Sequence, residues 1–262
     1  MSVGIIYHCL DKIKHHPYGN YANTFCKKYP NIFTESLVPS TIFSIDCLRK
    51  VCKLPITIFT DVPDKFRDTG CSIVRADRYF DSALDKLYAF CNTPYDTTIL
   101  LDGDTQALCD PCEIIDPAYD FIACREVLSD PRNKVVLGYD HTYNTGVVVF
   151  KSNPIMKTFF ANCYAYASRL HKEDKLKKHR RVENWKGGDQ AMINHALANA
   201  KVYRDNIKIK TLPSKWNVRP VLNKYIKDKR ILHQRGLHNP EYVAAILDRY
   251  TDWSHAFHTL LI

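Results

Sequence analysis

A repeated alternation constrains this chain most. Short apolar runs bounded by turn residues recur at Gly4–Cys9, Pro55–Thr60, Cys71–Arg75, Thr97–Leu101, Asp120–Cys124 and Gly146–Phe150. Such runs fit strands buried on both faces. Between them lie segments of helical spacing. Ser40–Val51 carries apolar residues at 42, 43, 45, 48 and 51, and Ser82–Cys91 carries them at 83, 84, 87, 90 and 91. Ile155–Leu170 and Gln190–Ala200 follow the same period. Alternating strands and helices predict an α/β fold with a mostly parallel sheet covered by helices. In such a sheet, ligands bind beyond the carboxyl ends of the strands.

Composition agrees with a globular chain. The 262 residues are 45% hydrophobic and 25% charged, which excludes a wholly disordered, collagen-like or coiled-coil chain. A length of this order can bury a large core without staples. No repeat and no Gly/Ser- or Pro-rich linker divides the sequence, so a single domain is expected over 1–262. Its halves run over about 1–110 and about 111–262. No apolar run is long enough for a transmembrane helix. The opening MSVGIIYHCLDKIKHH reads as a first strand rather than a signal peptide. A cytoplasmic location is therefore expected, with ten free thiols at 9, 26, 47, 52, 71, 91, 109, 112, 124 and 163. Cys109–Cys112 is a CxxC without a second pair, a weak signal for zinc or redox chemistry.

Net charge is +9, from 37 basic and 28 acidic residues. That balance favours anionic partners. The charge concentrates in His171–Arg181 and again from Lys201 to Arg230. The first run reads as a solvated face or as a docking point for an anionic acceptor or a membrane surface. No helix-turn-helix, RNP or zinc-finger pattern accompanies it, so nucleic acid is not the expected partner. A dinucleotide fingerprint and a P-loop are both absent.

The chemistry-bearing motifs sit where strands end. Thr97–Thr105 reads TTILLDGDT, an apolar strand running into Asp102-Gly103-Asp104. Two carboxylates spaced i, i+2 on extended backbone share a face, with a glycine between them that permits a sharp turn. They suit a divalent cation such as Mn²⁺ or Mg²⁺. An Asp-x-Asp alone is common in acidic turns; its place after a buried strand gives it weight. Asn144-Thr145-Gly146 precedes the run VVVF, either as a plain turn or as a group that touches a sugar. Asp189-Gln190 opens a helix after Gly187-Gly188, either as a cap or as a sugar-gripping pair. His233 follows Ile231-Leu232, with Gly236 three residues on. A lone histidine is more often structural, yet histidine is also a good third ligand for Mn²⁺.

In this order, the elements resemble the GT-A-fold nucleotide-sugar glycosyltransferases, in particular the family of glycogenin and the bacterial lipooligosaccharide galactosyltransferases. The resemblance runs from about Gly4 to Pro240. It comprises a basic residue on a helix (Lys86), DxD after a strand (Asp102–Asp104), N-[ST]-G (Asn144–Gly146), DQ (Asp189–Gln190), L-P-x-x-[YW]-N (Leu212–Asn217) and H-x-x-G (His233–Gly236). It implies a Rossmann-like, mostly parallel mixed sheet flanked by helices. It implies Mn²⁺ (or Mg²⁺) on Asp102, Asp104 and His233, and a nucleoside diphosphate sugar, a UDP-sugar by resemblance, as donor. Lys86, Gly103, Asn144, Gly146, Asn217, Gly236 and His238 then join the donor site, and Asp189 and Gln190 lie at the sugar. The resemblance also implies that the end of the first strand, Tyr7, His8 and Asp11, holds the nucleobase. It implies that the half over about 1–110 binds the nucleotide and the half over about 111–262 the acceptor, a glycan or glycoconjugate, and that transfer occurs with retention.

Two departures stand out. The family's lysine after H-x-x-G is missing from Leu237-His238-Asn239-Pro240, leaving Arg235 or His238 to supply the charge. After Phe121-Ile122-Ala123 comes Cys124-Arg125-Glu126, with no clean match to the family's acidic residue at the donor sugar, for which Glu126 is a candidate. An inverting enzyme would need a carboxylate base, for which Glu126, Asp189 and Glu183 are candidates. The competing readings are a nucleotidyltransferase that makes nucleotide sugars, a non-catalytic basic nucleic-acid-binding protein and a glycosyltransferase-like binder without activity.

Overall fold

The computed structural model describes residues 1–11, 36–77, 79–80, 83–125, 142–173, 188–219, 226, 228–234, 237–241 and 243. Gly236, Arg235, Glu126, Glu183, Gly187 and most of the basic run at 171–181 lie outside this set.

Seven strands form one sheet. They are β1 (Val3–Cys9), β2 (Ile56–Thr60), β3 (Ser72–Arg75), β4 (Thr97–Asp102), β6 (Phe121–Arg125), β7 (Tyr143–Lys151) and β8 (Ile209–Leu212), in the spatial order β3-β2-β1-β4-β7-β6-β8. All pairings are parallel except those of β7, which runs antiparallel to β4 and β6. The sheet is thus mixed and mostly parallel, as expected. Two further short strands, β5 (Thr105–Ala107) and β9 (Ile231–His233), form an antiparallel pair of their own. The helices are α1 (Val38–Val51), α2 (Lys86–Cys91), α3 (Pro154–Lys172), α4 (Asp189–Asn199) and α5 (Lys201–Asn206).

Strand alternation accounts for the two cores. Ile6, Leu100, Val148 and Phe150 point to one face, where they meet Leu87 and Phe90 of α2, Phe159 and Phe160 of α3 and Ile193 of α4. Ile5, Tyr7, Ile99, Leu101, Val147 and Val149 point to the other, against Ile45 and Leu48 of α1. Both sets are buried, so the strands read as continuous apolar runs instead of alternating ones. Asn153 caps α3 by accepting a hydrogen bond from Met156 N–H at 3.0 Å, with Pro154 in the first turn. Arg169, His171 and Lys172 in its last turn oppose the helix dipole.

The topology fixes where a ligand can sit. From β1 the chain builds outward through β2 and β3, then returns to place β4 on the other flank of β1. The carboxyl ends of β1 and β4 therefore border a topological switch point, the usual ligand crevice of an open α/β sheet. In this register His8 lies beside Asp102. Because β7 is antiparallel, its beginning, Tyr143–Gly146, reaches the same edge.

Leu100 is fully buried in the face that joins α2, α3 and α4. Leu100→Ala is expected to lower stability by about 2–5 kcal/mol through lost contacts and a residual cavity. Urea unfolding checks this, and a loss below about 1 kcal/mol would contradict the packing described.

Candidate functional site

Three segments converge on one cluster. Asp102 ends β4, Asp104 closes the turn that follows, and β5 then leaves the main sheet to pair with β9. That pairing sets Thr105 opposite His233, and Gln234 N–H donates to the Asp104 carbonyl at 3.0 Å. His233 Nε2 lies 3.4 Å from Asp102 Oδ2 and 3.3 Å from Asp104 Oδ1. Two carboxylate oxygens and an imidazole nitrogen, all within 4.8 Å of one another, could hold a metal ion. Hard oxygens with one borderline nitrogen suit Mn²⁺ or Mg²⁺. Burial would push the His233 imidazole down, but Asp104 and Asp102 outweigh it and lift it to about 9. The pocket thus draws positive charge.

The geometry of His233 is set from behind. Its Nδ1 lies 2.8 Å from Asn217 Oδ1, which makes Nδ1–H the donor and leaves Nε2 for the aspartates. Asn217 Nδ2 donates to Asn144 Oδ1 at 2.7 Å, and Gly146 N–H donates to the same oxygen at 2.8 Å. Asn144 and Asn217 are both buried. The asparagine of N-T-G therefore spends its carbonyl on holding Asn217, and through it His233. Gly146 has a reason that the sequence did not supply: a Cβ there would collide with the His233 ring. Gly103 likewise makes room for Thr41 Oγ1 of α1. Among the described residues the positive-φ glycine is Gly70, not Gly103, so steric space replaces the expected sharp turn as the reason for the glycine in DGD.

Lys86 forms the second half of the site. Its ammonium donates to Asp102 Oδ1 at 2.7 Å and to the Thr145 carbonyl at 3.1 Å, and pairs with Asp189 Oδ2 at 2.8 Å. Burial works against the charge, yet Asp102 and Asp189 outweigh it and hold Lys86 above the usual lysine range. For Asp102 burial acts upward, while Lys86 and His233 bring the carboxyl below its usual range. Asp189 is lifted by burial, with Lys86 opposing and Asp102 adding to the rise. Asp189 is the first residue of α4, behind Gly188 as cap, so its carboxylate serves Lys86 and not a cap. Gln190 Oε1 lies 3.4 Å from Thr145 N. Asn194, one turn on, bonds Tyr143 through both its amide atoms and locks α4 to the start of β7. Sequence reasoning missed it; its spacing of four from Gln190 was the available signal.

The β1 residues divide by parity. His8 shares a face with Asp102 and Lys86. Its Nε2 is buried with no hydrogen-bond partner among the described residues. Burial first and Lys86 second push the imidazole down to about 3, with Asp102 opposing, so it is neutral near pH 7. Tyr7 departs from expectation. Strand alternation turns it to the α1 face, where it is fully buried with its hydroxyl 3.0 Å from Ser44 Oγ, and it is not presented to a ligand. Asp11 meets Ser36 near the start of α1 and pairs with Lys65 at 2.9 Å. His238 Nδ1 lies 2.7 Å from Ser40 Oγ in the first turn of α1. Both flank the crevice.

The cysteines at 9, 47, 52, 71, 91, 109, 112, 124 and 163 are free thiols. In the second basic stretch Lys210, Lys215 and Arg230 face Asp116, Asp228 and Glu113 at 2.7, 2.8 and 3.5 Å, so part of that charge is matched internally. Among the described residues no helix is long and apolar enough to cross a membrane.

No protein-family model and no curated protein sequence matches the chain. Solved structures do. The galactosyltransferase LgtC, in complex with donor and acceptor sugar analogues, superposes with a TM-score of 0.56 at 12% identity, over 97% of this chain and 95% of that one. The glycosyltransferase GlyE of Streptococcus pneumoniae TIGR4 gives 0.53 at 14% identity, over 97% of this chain and 65% of that one. The apo form of the bifunctional glycosyltransferase WbbM gives 0.50 at 13% identity, over 98% of this chain and 51% of that one. The fold is that of the GT-A glycosyltransferases.

Two substitutions test the site's construction. Lys86→Met leaves the buried Asp189 and the partly buried Asp102 without their cation and is expected to cost about 3–5 kcal/mol in urea unfolding. A loss near zero would show that Lys86 is not the buried counter-ion. Gly146→Ala forces the His233 ring aside. Since loss of an orienting group costs a metal site about 10–100-fold in affinity, Mn²⁺ binding followed by electron paramagnetic resonance should weaken by at least tenfold. Unchanged binding would separate Gly146 from the cluster.

Proposed function

We propose that the chain is a glycosyltransferase that moves a hexose or pentose from a nucleoside diphosphate sugar, UDP-linked in our reading, to a hydroxyl of a glycan or glycoconjugate. The observation that carries this reading is the convergence of Asp102, Asp104 and His233 at the switch point of a GT-A fold. These three residues would hold the divalent cation, Mn²⁺ or Mg²⁺. Bound there, the ion would neutralise the diphosphate as it departs.

The chain's own groups have separable tasks. His8, neutral and with a buried free nitrogen beside Asp102, is the β1 group available to the nucleoside. Lys86 is a positioning residue: its ammonium fixes the inner oxygen of Asp102 and keeps the outer oxygen directed toward His233. Asn144 and Asn217 hold the imidazole tautomer. Gln190 borders the sugar position, and retention is the stereochemistry we infer. Asp189 is tied to Lys86 and is poorly suited to act as the base that inversion needs. His238, at the first turn of α1, is the described candidate for the charge left vacant by the missing lysine. Much of the rate would come from holding donor and acceptor about 3–3.5 Å apart and from fixed charges around the leaving diphosphate. The nucleotide would lie over the half up to about residue 110, and the acceptor against the remainder.

Thermal unfolding with UDP, GDP, CDP or ADP, each with Mn²⁺ or with chelator, tests the reading. A ligand at about 100 times its Kd adds about 2.7 kcal/mol, a rise of about 5–10 °C for a chain of this size. The expected result is a rise with UDP that chelator abolishes and that Asp102→Ala and Asp104→Ala lack, together with Mn²⁺-dependent release of UDP from UDP-hexoses in the unaltered chain. No rise with any nucleotide would reject the proposal, and a rise that survives in both variants would reject the metal assignment.

A further inference from the structure

A second group of metal-ligating side chains lies apart from the Asp102–Asp104–His233 cluster. Cys52, the residue that ends α1, is buried, and its Sγ lies 3.9 Å from Sγ of Cys112. Asp110 completes the group, and one ligand atom from each of the three lies within 4.8 Å of the others. The CxxC seen in the sequence is therefore split. Cys112 turns to Cys52, sixty positions earlier, while Cys109 Sγ faces the carbonyl oxygen of Arg230.

We propose that Cys52, Cys112 and Asp110 form a zinc site. A tetrahedral Zn²⁺ with Zn–S bonds of about 2.3 Å holds its sulfurs about 3.8 Å apart, close to the separation seen here. Thiolate donors select Zn²⁺ over Mg²⁺ or Mn²⁺. Asp110 decides between a metal and a disulfide. A carboxylate contributes no bond to a disulfide, whereas beside a cation held by two thiolates it is a third anionic ligand. Asp110 Oδ1 accepts the Cys112 N–H at 2.9 Å, which fixes the carboxylate beside the two sulfurs. Cys112 and Asp110 are only partly buried, so water has access to the fourth position. On binding, the two thiol protons leave to solvent and no electrons move.

The position gives the site a structural task. α1 holds the segment after β4 through a row of contacts: Thr41 against Gly103, Ser44 Oγ at 3.1 Å from Thr105 Oγ1, and Cys47 Sγ at 3.5 Å from Gln106 Nε2. Cys52 and Cys112 end that row. Zinc there would clamp the end of α1 to the segment that begins with Asp102 and Asp104. This inference does not rest on the sugar-transfer reading.

Co²⁺ serves as the probe. The reduced, chelator-treated full chain is titrated with Co²⁺, and thiolate-to-cobalt charge-transfer absorption is followed in the near ultraviolet. The Asp102–Asp104–His233 cluster contains no sulfur and cannot produce that band. The expected result is a band that saturates at one equivalent, is displaced by Zn²⁺, disappears in Cys52→Ser and in Cys112→Ser, and survives in Cys109→Ser. Asp110→Asn keeps both thiols and the cap acceptor. Because outer partners alone are worth about 10–100-fold in metal affinity, loss of this ligand should weaken Co²⁺ binding at least tenfold. A wild-type chain without the band, a band undiminished in both Cys52→Ser and Cys112→Ser, or formation of a Cys52–Cys112 disulfide in preference to Zn²⁺ uptake would overturn the proposal.

Discussion

Lys86 joins three elements that are far apart in the chain: Asp102 at the end of β4, Thr145 in β7 and Asp189 at the start of α4. A buried ammonium is costly unless paired, and a buried carboxylate likewise. Here each satisfies the other, and the pair of carboxylates exceeds the single ammonium in charge. Asp104 adds a further negative charge nearby. The site as built thus carries more anionic than cationic character at its centre, which suits a group that could hold a metal ion.

The same economy of position appears around His233. One asparagine fixes another, the second fixes the imidazole, and a glycine leaves room for the ring. None of these residues has to touch a ligand to matter. Their effect is to hold Nε2 toward Asp102 and Asp104. The main sheet contributes its edge and β5 contributes the fold-back. The short pairing of β5 with β9 brings a residue near position 233 to a turn near position 103.

The two faces of the sheet divide the labour. The face that packs α2, α3 and α4 also carries His8, Asp102, Lys86 and Asp189, so the charged cluster grows directly out of an aromatic-rich core that keeps it partly dry. The opposite face packs α1, whose buried small polar side chains support the segment after β4. Substitutions of the charged groups on the first face are expected to act through electrostatics, and those of the polar residues of α1 through the position of the DGD turn.

The sequence by itself determined the elements and much of the site's inventory. The apolar runs found their strands and the helical spacings their helices, because both report burial along a local period. Asp102, Asp104, Lys86 and His233 stood out because their residue types fit one chemistry in one order. The short strands β5, β8 and β9 fall outside the apolar runs, and only the sheet reveals them. Tertiary structure also decided the partners. It turned Tyr7 into the core while leaving His8 at the crevice, gave Asn144 to Asn217, assigned Asp189 to Lys86, and parted Cys112 from Cys109 to set it beside Cys52. Sequence patterns carry periodicity and chemical type. Which charged or polar group faces which is fixed by strand register and by helices packed across sixty or more positions, and that information exists only once the chain has folded.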